Sequence, residues 1–493
     1  MSNQSHKLIP QQVIQEGTEW AMMHGVAFRQ TDNTARHCPF SIAPVTMKRK
    51  TFEHLRKVSP LVTKLIHNIS EDHDFIQSEL SNVAKADPFF GRLLELHQQA
   101  HGDIDNRLTP ARKPLLLMRT DFMVDNHASA KIVEFNGIAA GMAPFGQRAT
   151  EFHQFLNTHW PEVYQHWSET PSATPAENQG LNQLAFGIAQ AAKKIKSTYS
   201  AIEDTNNEQP KPTFLMVVQD NEDNVYDQHL LEIELQNLGL RTVRRTFDEL
   251  STQLSTGKNK RLLLEGVGAI DTVYLRAGYQ YSDYYSPERD KEICCQTLSQ
   301  TRLFIEQHNV AVNATFSQQL ATSKTMQMLL TIMPAKDYAR WGLNLEQAML
   351  IKTVLADMKP VNPEAINWFN TSANKDEWVL KNQGEGGGHC VFGDDISAKL
   401  QSLDPKTYDA WALMQRIYPH QRQVPTIAVR DSMQTQVNDL ISEVGLFTVY
   451  FDGEPVTEFE GYAGYLVRSK PASENEGGIH SGKGILDSLV LID

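Results

Sequence analysis

Between residues 212 and 322 the sequence alternates strand and helix patterns, and this alternation restricts the fold more than any other feature. Short apolar runs bounded by polar residues are typical of buried strands, and apolar residues spaced three and four apart are typical of helices. The predicted strands are 214–218, one opening at 242, and 271–275, and the predicted helices are 226–238 and 288–308. Strands that alternate with helices pair in parallel, so this segment predicts one small parallel α/β unit.

The rest of the chain predicts a mixture of helices and strands around that unit. Residues 10–100 have mostly helical apolar spacing, and a helix is predicted over 181–199 between two polar connections. Strands are predicted at 115–118, 131–136, 378–381, 444–451 and 465–468. The first two of these strands form a hairpin through a turn at 125–127. The predicted fold class is therefore α+β with an α/β part.

The charge balance excludes several classes of partner. Against 59 Asp and Glu there are 46 Lys and Arg, so the formal net charge is −13, which argues against a general nucleic-acid or membrane-surface binder. The N-terminus lacks the apolar core of a signal peptide, and no apolar run approaches the ~20 residues of a membrane span. We expect a cytoplasmic protein whose four cysteines are reduced thiols, namely Cys38, Cys294, Cys295 and Cys390.

A lysine at a predicted strand end is followed by a glycine-rich run. The segment from Lys381 to Gly388 reads KNQGEGGG. Glycines let backbone N–H groups approach phosphate oxygens, and the lysine adds a point charge, so this loop is suited to a polyphosphate. It lacks the G-x-x-x-x-G-K-[ST] pattern of a P-loop, and for the glycine run alone a flexible surface turn is the alternative.

Glu134 and Asn136 stand two apart on a predicted strand, and their side chains therefore point to the same side. A carboxylate and an amide oxygen in that arrangement are suited to Mg²⁺, which prefers oxygen ligands. Glu385, inside the glycine-rich loop, is the natural third ligand. Two exposed polar residues on a sheet face are the alternative interpretation.

A scattered set of cations lies at or near the ends of predicted strands or the starts of helices. Arg is suited to bidentate carboxylate recognition and Lys to phosphate, although each residue taken singly is compatible with a solvated surface charge. Neither a tight metal-ligand spacing among the 17 histidines nor a G-x-S-x-G elbow was identified, which leaves a structural zinc site and a serine-hydrolase triad unsupported. The cations are Arg119, Arg276, Lys324, Lys381, Arg468 and Lys470.

Together these residues resemble those of the eukaryotic-type glutathione synthetases, which belong to the ATP-grasp ligases. The resemblance runs from about Arg119 to Asp487, and the helical N-terminal part carries no diagnostic motif. The matching blocks, in family order, are MRTDFMVD, KIVEFNGIAAGM, EDNVYDQHLLEIEL, VYLRAGY, QQLATSKTMQMLL, WVLKNQGEGGGHCVFG, LMQRI, ISEVGLFTVY and YLVRSKPASENEGGIHSG.

The resemblance implies roles for individual residues. The implied magnesium ligands are Glu134, Asn136 and Glu385. The implied nucleotide contacts are Met123, Glu134, Lys324, Lys381, Glu385, Gly386, Gly387, Cys390, Phe392, Met414, Ile417, Glu443, Lys470 and Glu476. The implied contacts of the γ-glutamyl substrate or product are Arg119, Ala139, Gly141, Glu222, Asn224, Gln228, Arg276, Tyr279 and Arg468, with Ile479 and His480 in a closing loop.

The implied reaction joins γ-L-glutamyl-L-cysteine to glycine with ATP, giving glutathione, ADP and phosphate. ATP converts a carboxylate to an acyl phosphate, with Lys324 and Lys381 neutralising charge. The glycine amine then attacks, Arg119 stabilises the oxyanion, and Arg468 pairs with the glycine carboxylate. A homodimer is the family expectation.

The resemblance also implies an ATP-grasp body with an inserted domain and a mobile lid. The expected divisions are 1–211 for the helical region and the first part of the body, 212–322 for the inserted substrate domain, and 323–493 for the remaining ATP-grasp domain. The last of these contains the glycine-rich loop 381–388 and a closing loop 471–484, which would exclude water from the acyl phosphate.

The sequence departs from the family pattern on the substrate side. Ala139 and Gly141 stand where two serines are common, and His480 stands where a small residue is usual. Near the nucleotide, Cys390 replaces an asparagine and Phe392 a tyrosine. Two alternatives therefore stay open: a ligase for another acceptor amino acid or γ-glutamyl peptide, and an inactive nucleotide-binding regulator.

Overall fold

A computed structural model describes most of the chain. The described residues are 8–103, 105–125, 129–200, 211–286, 291–384, 390–475, 477–479 and 483–493, without the side chains of 200 and 291–295. Among the helices in this part of the chain, none is long and apolar enough to cross a membrane. Within the same residues, Cys38 and Cys390 form no disulfide.

The helices are distributed along the whole chain. They are α1 (Gln11–Met23), α2 (Arg49–Ser70), α3 (His73–Glu79), α4 (Ser81–Ala86), α5 (Pro88–His101), α6 (Ala143–His159), α7 (Pro161–Trp167), α8 (Gly180–Ser200), α9 (Val225–Asn237), α10 (Phe247–Gln253), α11 (Lys291–Glu306), α12 (Phe316–Ala321), α13 (Lys324–Ile332), α14 (Leu345–Val354), α15 (Pro363–Thr371) and α16 (Asp395–Ser402).

The strands of the first half include several very short ones. They are β1 (Ala27–Arg29), β2 (Ala35–His37), β3 (Phe40–Ser41), β4 (Val45–Lys48), β5 (Gly102–Asp103), β6 (Asn106–Arg107), β7 (Lys113–Met123), β8 (Lys131–Asn136), β9 (Thr174–Pro175), β10 (Thr213–Val217), β11 (Arg241–Arg245), β12 (Leu254–Thr256), β13 (Leu262–Leu264), β14 (Gly268–Ala269), β15 (Thr272–Leu275) and β16 (Ala311–Asn313).

The strands of the second half include β23, the longest partner of β7. They are β17 (Met358–Pro360), β18 (Trp378–Asn382), β19 (Cys390–Phe392), β20 (Trp411–Gln415), β21 (Thr426–Arg430), β22 (Met433–Val437), β23 (Leu440–Phe451), β24 (Glu454–Pro455), β25 (Tyr462–Pro471), β26 (Ile485–Asp487) and β27 (Leu489–Ile492).

One main sheet of thirteen strands connects most of the described chain. Its order is β11-β10-β15-β16-β7-β23-β25-β26-β3-β21-β22, with β8 on β7 and β24 on β23. The strands β11, β10, β15 and β16 are parallel, which confirms the predicted α/β unit. That unit continues the main sheet directly, because β16 also pairs in parallel with β7.

The predicted hairpin is confirmed, since β7 and β8 are antiparallel. Most of its turn, 126–127, lies outside the described residues. The strands predicted near 378, 444 and 465 are also present, as β18, β23 and β25.

The prediction of mostly helix over 10–100 is wrong between α1 and α2. Four short strands, β1 to β4, occupy that segment. Strands of two to four residues are too short for a period of two to be recognised. β1 and β2 pair with each other, whereas β3 and β4 pair with strands elsewhere in the chain. β3, for example, pairs with β21 and β26, and β4 pairs with β27.

The centre of the main sheet is buried on both faces. Leu116 and Met118 of β7 belong to one apolar cluster, whereas Leu115 and Leu117 belong to another. The apolar run recognised in the sequence is therefore a strand covered on both sides. Further along β7, the second face changes from apolar to charged at Arg119.

A separate antiparallel sheet lies in the C-terminal half. Its order is β17-β20-β18-β19. Lys381 near the end of β18 pairs with Cys390 of β19 on one side and Ala412 of β20 on the other. This register fixes the direction in which the chain enters the glycine-rich loop.

Candidate functional site

Four neighbouring strands, β8, β7, β23 and β25, carry charged or amide side chains on one face of the main sheet. Asn136 lies opposite Arg119, and Glu134 lies opposite Asp121, across β8 and β7. Opposite residues and residues two apart point to the same face, so strand register brings these groups together. The polar set on this face is Arg119, Asp121, Glu134, Asn136, Glu443 and Arg468.

Asp121 is the centre of this set and is fully buried. Arg119 donates from Nε and Nη2 to its two carboxylate oxygens, at 2.6 and 2.8 Å. Arg468 donates from Nη2 at 3.0 Å, and Asn136 donates from Nδ2 at 3.0 Å. Arg468 also forms an ion pair with Glu443, which lies opposite it in the sheet. We call these five residues the Asp121 network.

A glycine makes room for the Asp121 network. Gly445 of β23 lies opposite Asp121, and a Cβ atom there would lie 2.5 Å from Asp121 Oδ1 and 2.7 Å from Arg119 Cδ. Real Cβ atoms essentially never approach other atoms so closely. The absence of a side chain at this strand position therefore allows the arginine and the carboxylate to lie flat against the sheet.

Two lysines flank Glu134 beside the network. Lys324 donates to Glu134 Oε2 at 2.8 Å, and Lys381 donates to the backbone carbonyl of Val133 at 3.1 Å. Lys324 is the first residue of α13, whose N-cap Ser323 accepts a hydrogen bond from a backbone N–H. A helix N-terminus that carries a lysine favours an anion, so the start of α13 beside Glu134 is suited to a phosphate group.

Burial and neighbouring charges shift the pKa values of Glu134 and Lys381. Burial would raise the pKa of Glu134, but Lys324, Lys381 and Arg468 outweigh it and hold that pKa well below its usual range. Glu134 is therefore a carboxylate at neutral pH. Burial lowers the pKa of Lys381, and nearby Lys324 lowers it further. A negatively charged phosphate would raise the pKa of Lys381 and so oppose both effects.

The predicted nucleotide contacts on the second sheet border a small apolar cluster. Met414 is buried with Met328, Ala356, Met358 and Ala412, and Ile417 packs against them. Cys390 and Phe392 lie on β19, at positions that pair with β18. Such an apolar wall near Lys381 is compatible with a flat base whose phosphates extend toward the lysines.

Two further predicted nucleotide contacts lie at strand positions on the main sheet. Met123 is half-buried at the end of β7. Lys470 is buried on β25 and donates to the backbone carbonyl of Asn475 at 2.7 Å. That hydrogen bond ties the start of the predicted closing loop to the strand.

On the substrate side, Arg276 fills the place where the family pattern has a serine. A Cβ atom on Gly141 would lie 2.5 Å from Arg276 Nη2, so the guanidinium occupies the space that a side chain there would need. Arg276 donates to Asp227 Oδ2 at 2.7 Å, and both Asp227 oxygens accept from the backbone N–H of Met142 at 3.1 Å. We call Arg276 and Asp227 the Arg276 pair.

The loop between β8 and α6 connects the Asp121 network with the Arg276 pair. Arg119 Nη1 donates to the carbonyl of Gly141 at 3.3 Å, and Tyr274 donates to the carbonyl of Ala140 at 3.3 Å. Ala139 and Met142 have positive φ angles of 51° and 74°. The loop is therefore held in a sharp bend by groups from both sides of the site.

Two buried amide side chains on the substrate side have polar atoms without a hydrogen-bond partner among the described residues. These atoms are Oδ1 of Asn224 and Nε2 of Gln228. Asn224 precedes α9, Gln228 lies four residues further on, and the two side chains are 3% and 1% exposed. Buried polar atoms without partners are costly, so these two indicate a polar ligand.

Glu222 and Tyr279 lie near the same end of the α/β unit. The carboxylate of Glu222 accepts from the backbone N–H of Asn224 at 3.2 Å. The hydroxyl of Tyr279 accepts from Gln219 at 2.9 Å, and burial together with nearby Asp283 raises its pKa to about 12. Tyr279 is therefore a neutral hydrogen-bonding group.

Several predicted site residues lie outside the described residues: Glu385, Gly386, Gly387, Glu476 and His480. Of the predicted closing loop, Ile479 is described and buried in an apolar cluster. Lys483 forms an ion pair with Glu474 at 2.6 Å, which joins the two ends of the loop.

Two carboxylates at the site were not predicted, Asp121 and Asp227. A signal for Asp121 was present, because Arg119 and Asp121 interrupt an apolar strand at positions two apart. Asp227 gave no comparable signal, because an acidic residue in the first turn of a helix is common on protein surfaces.

The chain is similar to proteins of one family. Residues 8–491 match the family model described as eukaryotic glutathione synthase, ATP binding domain. The chain is 29% identical to a chloroplastic glutathione synthetase of Solanum lycopersicum, over 92% of this chain and 78% of that protein. It is 26% identical to the glutathione synthetases of Dictyostelium discoideum, over 97% and 98% of the two chains, and of Homo sapiens, over 97% and 96%.

A solved structure has the same fold. It is a glutathione synthetase-like effector from Globodera pallida in the apo form, with a TM-score of 0.71 and 16% identity, covering 98% of this chain and 96% of that one.

Proposed function

The chain belongs to the eukaryotic glutathione synthase family, and from that premise we propose how its residues carry out the reaction. It is an ATP-dependent ligase that forms glutathione. The observation that carries our assignment of roles is the convergence of the Asp121 network with Glu134, Lys324 and Lys381 on one sheet face. There, cations outnumber the carboxylates that they pair with, so the face can accept anions.

The first chemical step uses ATP to activate a carboxylate. An oxygen of the cysteinyl carboxylate of γ-glutamylcysteine attacks the γ-phosphorus, ADP leaves, and an acyl phosphate forms. Phosphoryl transfer depends on positioning and charge neutralisation more than on a protein nucleophile. Lys324 and Lys381 are suited to this role, because one starts a helix beside Glu134 and the other is a buried ammonium with a carbonyl partner.

Glu134 and Asn136 fit a magnesium ion. Glu134 is an ionised carboxylate, and Asn136 directs its amide nitrogen to Asp121, which leaves its carbonyl oxygen for another partner. Both donors are oxygens, as Mg²⁺ requires. When bound, the ion neutralises phosphate charge. We retain Glu385 as the third ligand by resemblance; it lies outside the described residues.

The second step joins the amine of glycine to the acyl phosphate. The amine attacks the acyl carbon, an oxyanion develops, and phosphate leaves when the tetrahedral intermediate collapses. Arg119 uses Nε and Nη2 for Asp121 and one N–H of Nη1 for the carbonyl of Gly141, so one N–H on each of Nη1 and Nη2 remains to stabilise the oxyanion. Arg468, held by Asp121 and Glu443, is suited to the carboxylate of glycine.

We assign the γ-glutamyl group to a site at the N-terminus of α9. Its α-carboxylate and α-amino groups need both donors and acceptors. Gln228 Nε2 is a buried donor and Asn224 Oδ1 a buried acceptor without described partners, and Arg276, which pairs with Asp227 on the same helix, supplies positive charge. Glu222 and Tyr279 complete the proposed contacts, with Ala139 and Gly141 lining the cysteinyl side.

A related ligase with another acceptor stays as the second candidate, because of the residues at 139, 141 and 480. Gly141 has a local explanation, since Arg276 occupies the space of the missing side chain. We therefore favour γ-glutamylcysteine and glycine as the substrates.

An omission assay tests this function. Purified chain with ATP and Mg²⁺ should release phosphate and produce glutathione only when γ-glutamylcysteine and glycine are both present, with mass spectrometry identifying the product. If kcat/KM is higher with β-alanine or serine than with glycine, that amino acid is the acceptor instead. ATP binding without turnover would favour the inactive regulator.

The remaining expectations concern organisation and location. We propose the division into 1–211, 212–322 and 323–493, with 471–484 closing over the acyl phosphate. We also propose a cytoplasmic homodimer. Sedimentation at micromolar concentration tests the dimer, and a sedimenting monomer in the presence of substrates would exclude it.

A further inference from the structure

Three histidines converge outside the site described above. His97 and His101 lie four residues apart on α5, so their side chains share one face of the helix, and His73 begins α3. Residues four apart on a helix have a tight ligand spacing, so the expectation that the histidines lack one is wrong for His97 and His101. We call these three residues the histidine cluster.

The side chains of the histidine cluster are in mutual contact. The rings of His73 and His101 are stacked with centroids 3.6 Å apart, and the ring of His97 lies 4.7 Å from that of His101. One nitrogen from each residue can be chosen so that all three lie within 4.8 Å of one another. His97 and His101 are fully buried, and His73 is half-buried.

The nitrogen atoms of the cluster are largely without partners. His97 has no hydrogen-bond partner among the described residues at either ring nitrogen, and the same holds for Nδ1 of His73 and of His101. The Nε2 of His101 lies 3.3 Å from the hydroxyl of Ser317 on α12. Several buried nitrogens without hydrogen-bond partners cost free energy of folding. A bound metal ion would give these nitrogens a partner.

The rings are neutral at physiological pH. Burial lowers the pKa of His73 to about 4 and that of His97 to about 3, and it also lowers the pKa of His101. Neutral imidazoles have a free lone pair on one nitrogen, which is the form that binds metal ions.

The surrounding charges permit a cation. Arg112 contributes positive charge near the cluster, but it donates to both carboxylate oxygens of Glu71 at 3.1 Å. It also lies 3.9 Å from the fully buried Glu306, whose Oε2 has no hydrogen-bond partner in the described chain. Burial raises the pKa of Glu306 to about 7, so Glu71 is the carboxylate that balances the arginine.

We propose that His73, His97 and His101 bind a divalent transition-metal ion, with Zn²⁺ as the reference ion. Three imidazoles suit Zn²⁺, Co²⁺, Ni²⁺ or Cu²⁺, whereas Mg²⁺ prefers oxygen ligands. At Zn–N distances of about 2.0–2.1 Å, two ligand nitrogens lie about 3.4 Å apart. The rings must therefore turn inward, and His73, as the half-buried member, is the one free to leave its stack and admit the ion.

The histidine cluster contacts α12, the helix that precedes Lys324 in the chain. Ser317, which contacts His101, belongs to α12, and α12 is separated from Lys324 by only two residues. A bound ion would therefore fix α3 and α5 against the helix that precedes a residue of the catalytic site. This places a structural metal in the N-terminal region and is independent of the ligase assignment.

The test is a zinc titration of the full chain after chelation, in millimolar Mg²⁺ so that oxygen sites are occupied. The proposal predicts one tight equivalent of Zn²⁺. It also predicts that Co²⁺ gives visible absorption bands of a nitrogen-ligated site without thiolate charge-transfer bands. The variants are His97→Gln and His73→Asn, and the matched control is His166→Gln, an exposed histidine elsewhere.

Loss of a direct ligand should weaken zinc binding by at least about 100-fold, because loss of even an outer-shell partner costs 10–100-fold. The His166→Gln variant should bind zinc with the same affinity as the unaltered chain. If His97→Gln does not fold, His73→Asn decides, because its side chain is half-buried. Unchanged affinity in a folded variant, or no stoichiometric binding by the unaltered chain, would overturn the proposal.

Discussion

The Asp121 network and the Arg276 pair are both built from buried arginine and aspartate, yet they differ in their surroundings. Asp121 accepts from two arginines and one amide, whereas Asp227 accepts from one arginine and one backbone N–H. Both sets are formally neutral, because Glu443 offsets the second arginine of the network, but the network lies beside Lys324 and Lys381, whose charge exceeds that of the Glu134 carboxylate between them. We infer that the first region binds and activates anions, while the second mainly holds a loop and shapes the substrate pocket.

Both regions keep their arginines charged. Burial alone would lower the pKa of each guanidinium, but the carboxylates of Glu443 and Asp121 raise that of Arg468, and Asp227 raises that of Arg276. Breaking a buried pair by removing one partner typically costs about 3–5 kcal/mol. Substitutions at the two carboxylates should therefore separate the roles of the two regions.

The largest effect is expected for Asp121→Asn. The amide retains the size of the side chain but loses the charge that orients Arg119 and Arg468, so kcat/KM should fall by about 10²–10³-fold, as for other losses of preorganised charge. Steady-state kinetics with both substrates measures this. Asp452→Asn is the control, since Asp452 pairs with Lys113 at the other end of β7 and is half-exposed. Equal losses in the two variants would contradict the role of Asp121.

A smaller loss is expected for Gly445→Ala. The new methyl group would press on Asp121 and Arg119 from the adjacent strand, and a displacement of about 1 Å in a catalytic group can cost about 10²-fold. Ser442→Ala, on the opposite face of β23, is the control and should retain activity. Full activity of Gly445→Ala would show that the network tolerates displacement.

Asp227→Asn should act on substrate affinity instead. Arg276 and the backbone N–H of Met142 would lose a charged partner, so KM for γ-glutamylcysteine should rise by roughly tenfold, the cost of a weakened charge-assisted hydrogen bond. The KM for ATP should stay within twofold and serves as the internal control. A fall in kcat with unchanged KM would instead place the Arg276 pair in the chemical steps.

The smallest effect is expected for Gly141→Ser, which restores the side chain that the family pattern has. The atom it meets is the end of the Arg276 side chain, which can move, so KM for γ-glutamylcysteine should change by only about two- to fivefold, within the range of one hydrogen bond. A gain in affinity above tenfold would mean that the hydroxyl, and not Arg276, is the better partner for the substrate.

The local patterns in the sequence predicted much of the fold but not how its parts join. The strands of the α/β unit and the hairpin of β7 and β8 have clear apolar runs, and both are confirmed. The pairing of β16 with β7 joins segments far apart in the chain, and no local pattern contains that information. β3 and β4 were missed for the same reason, whereas β1 and β2 form a local pair that is too short to show a pattern.

The candidate site was recognised through residue types, whereas its organisation depends on strand register. Arg119, Glu134 and Arg468 were singled out in the sequence, but only the register of four strands shows that they surround Asp121. Gly445 gave no signal, because the need for glycine comes from side chains on the neighbouring strand.

The most direct test of the central claim follows an oxygen atom. γ-Glutamylcysteine labelled with ¹⁸O in both oxygens of its cysteinyl carboxylate is incubated with the chain, ATP, Mg²⁺ and glycine. Activation through an acyl phosphate predicts that one ¹⁸O appears in the released phosphate and one stays in glutathione. Unlabelled phosphate, with the displaced ¹⁸O found in water or another product, would contradict the account.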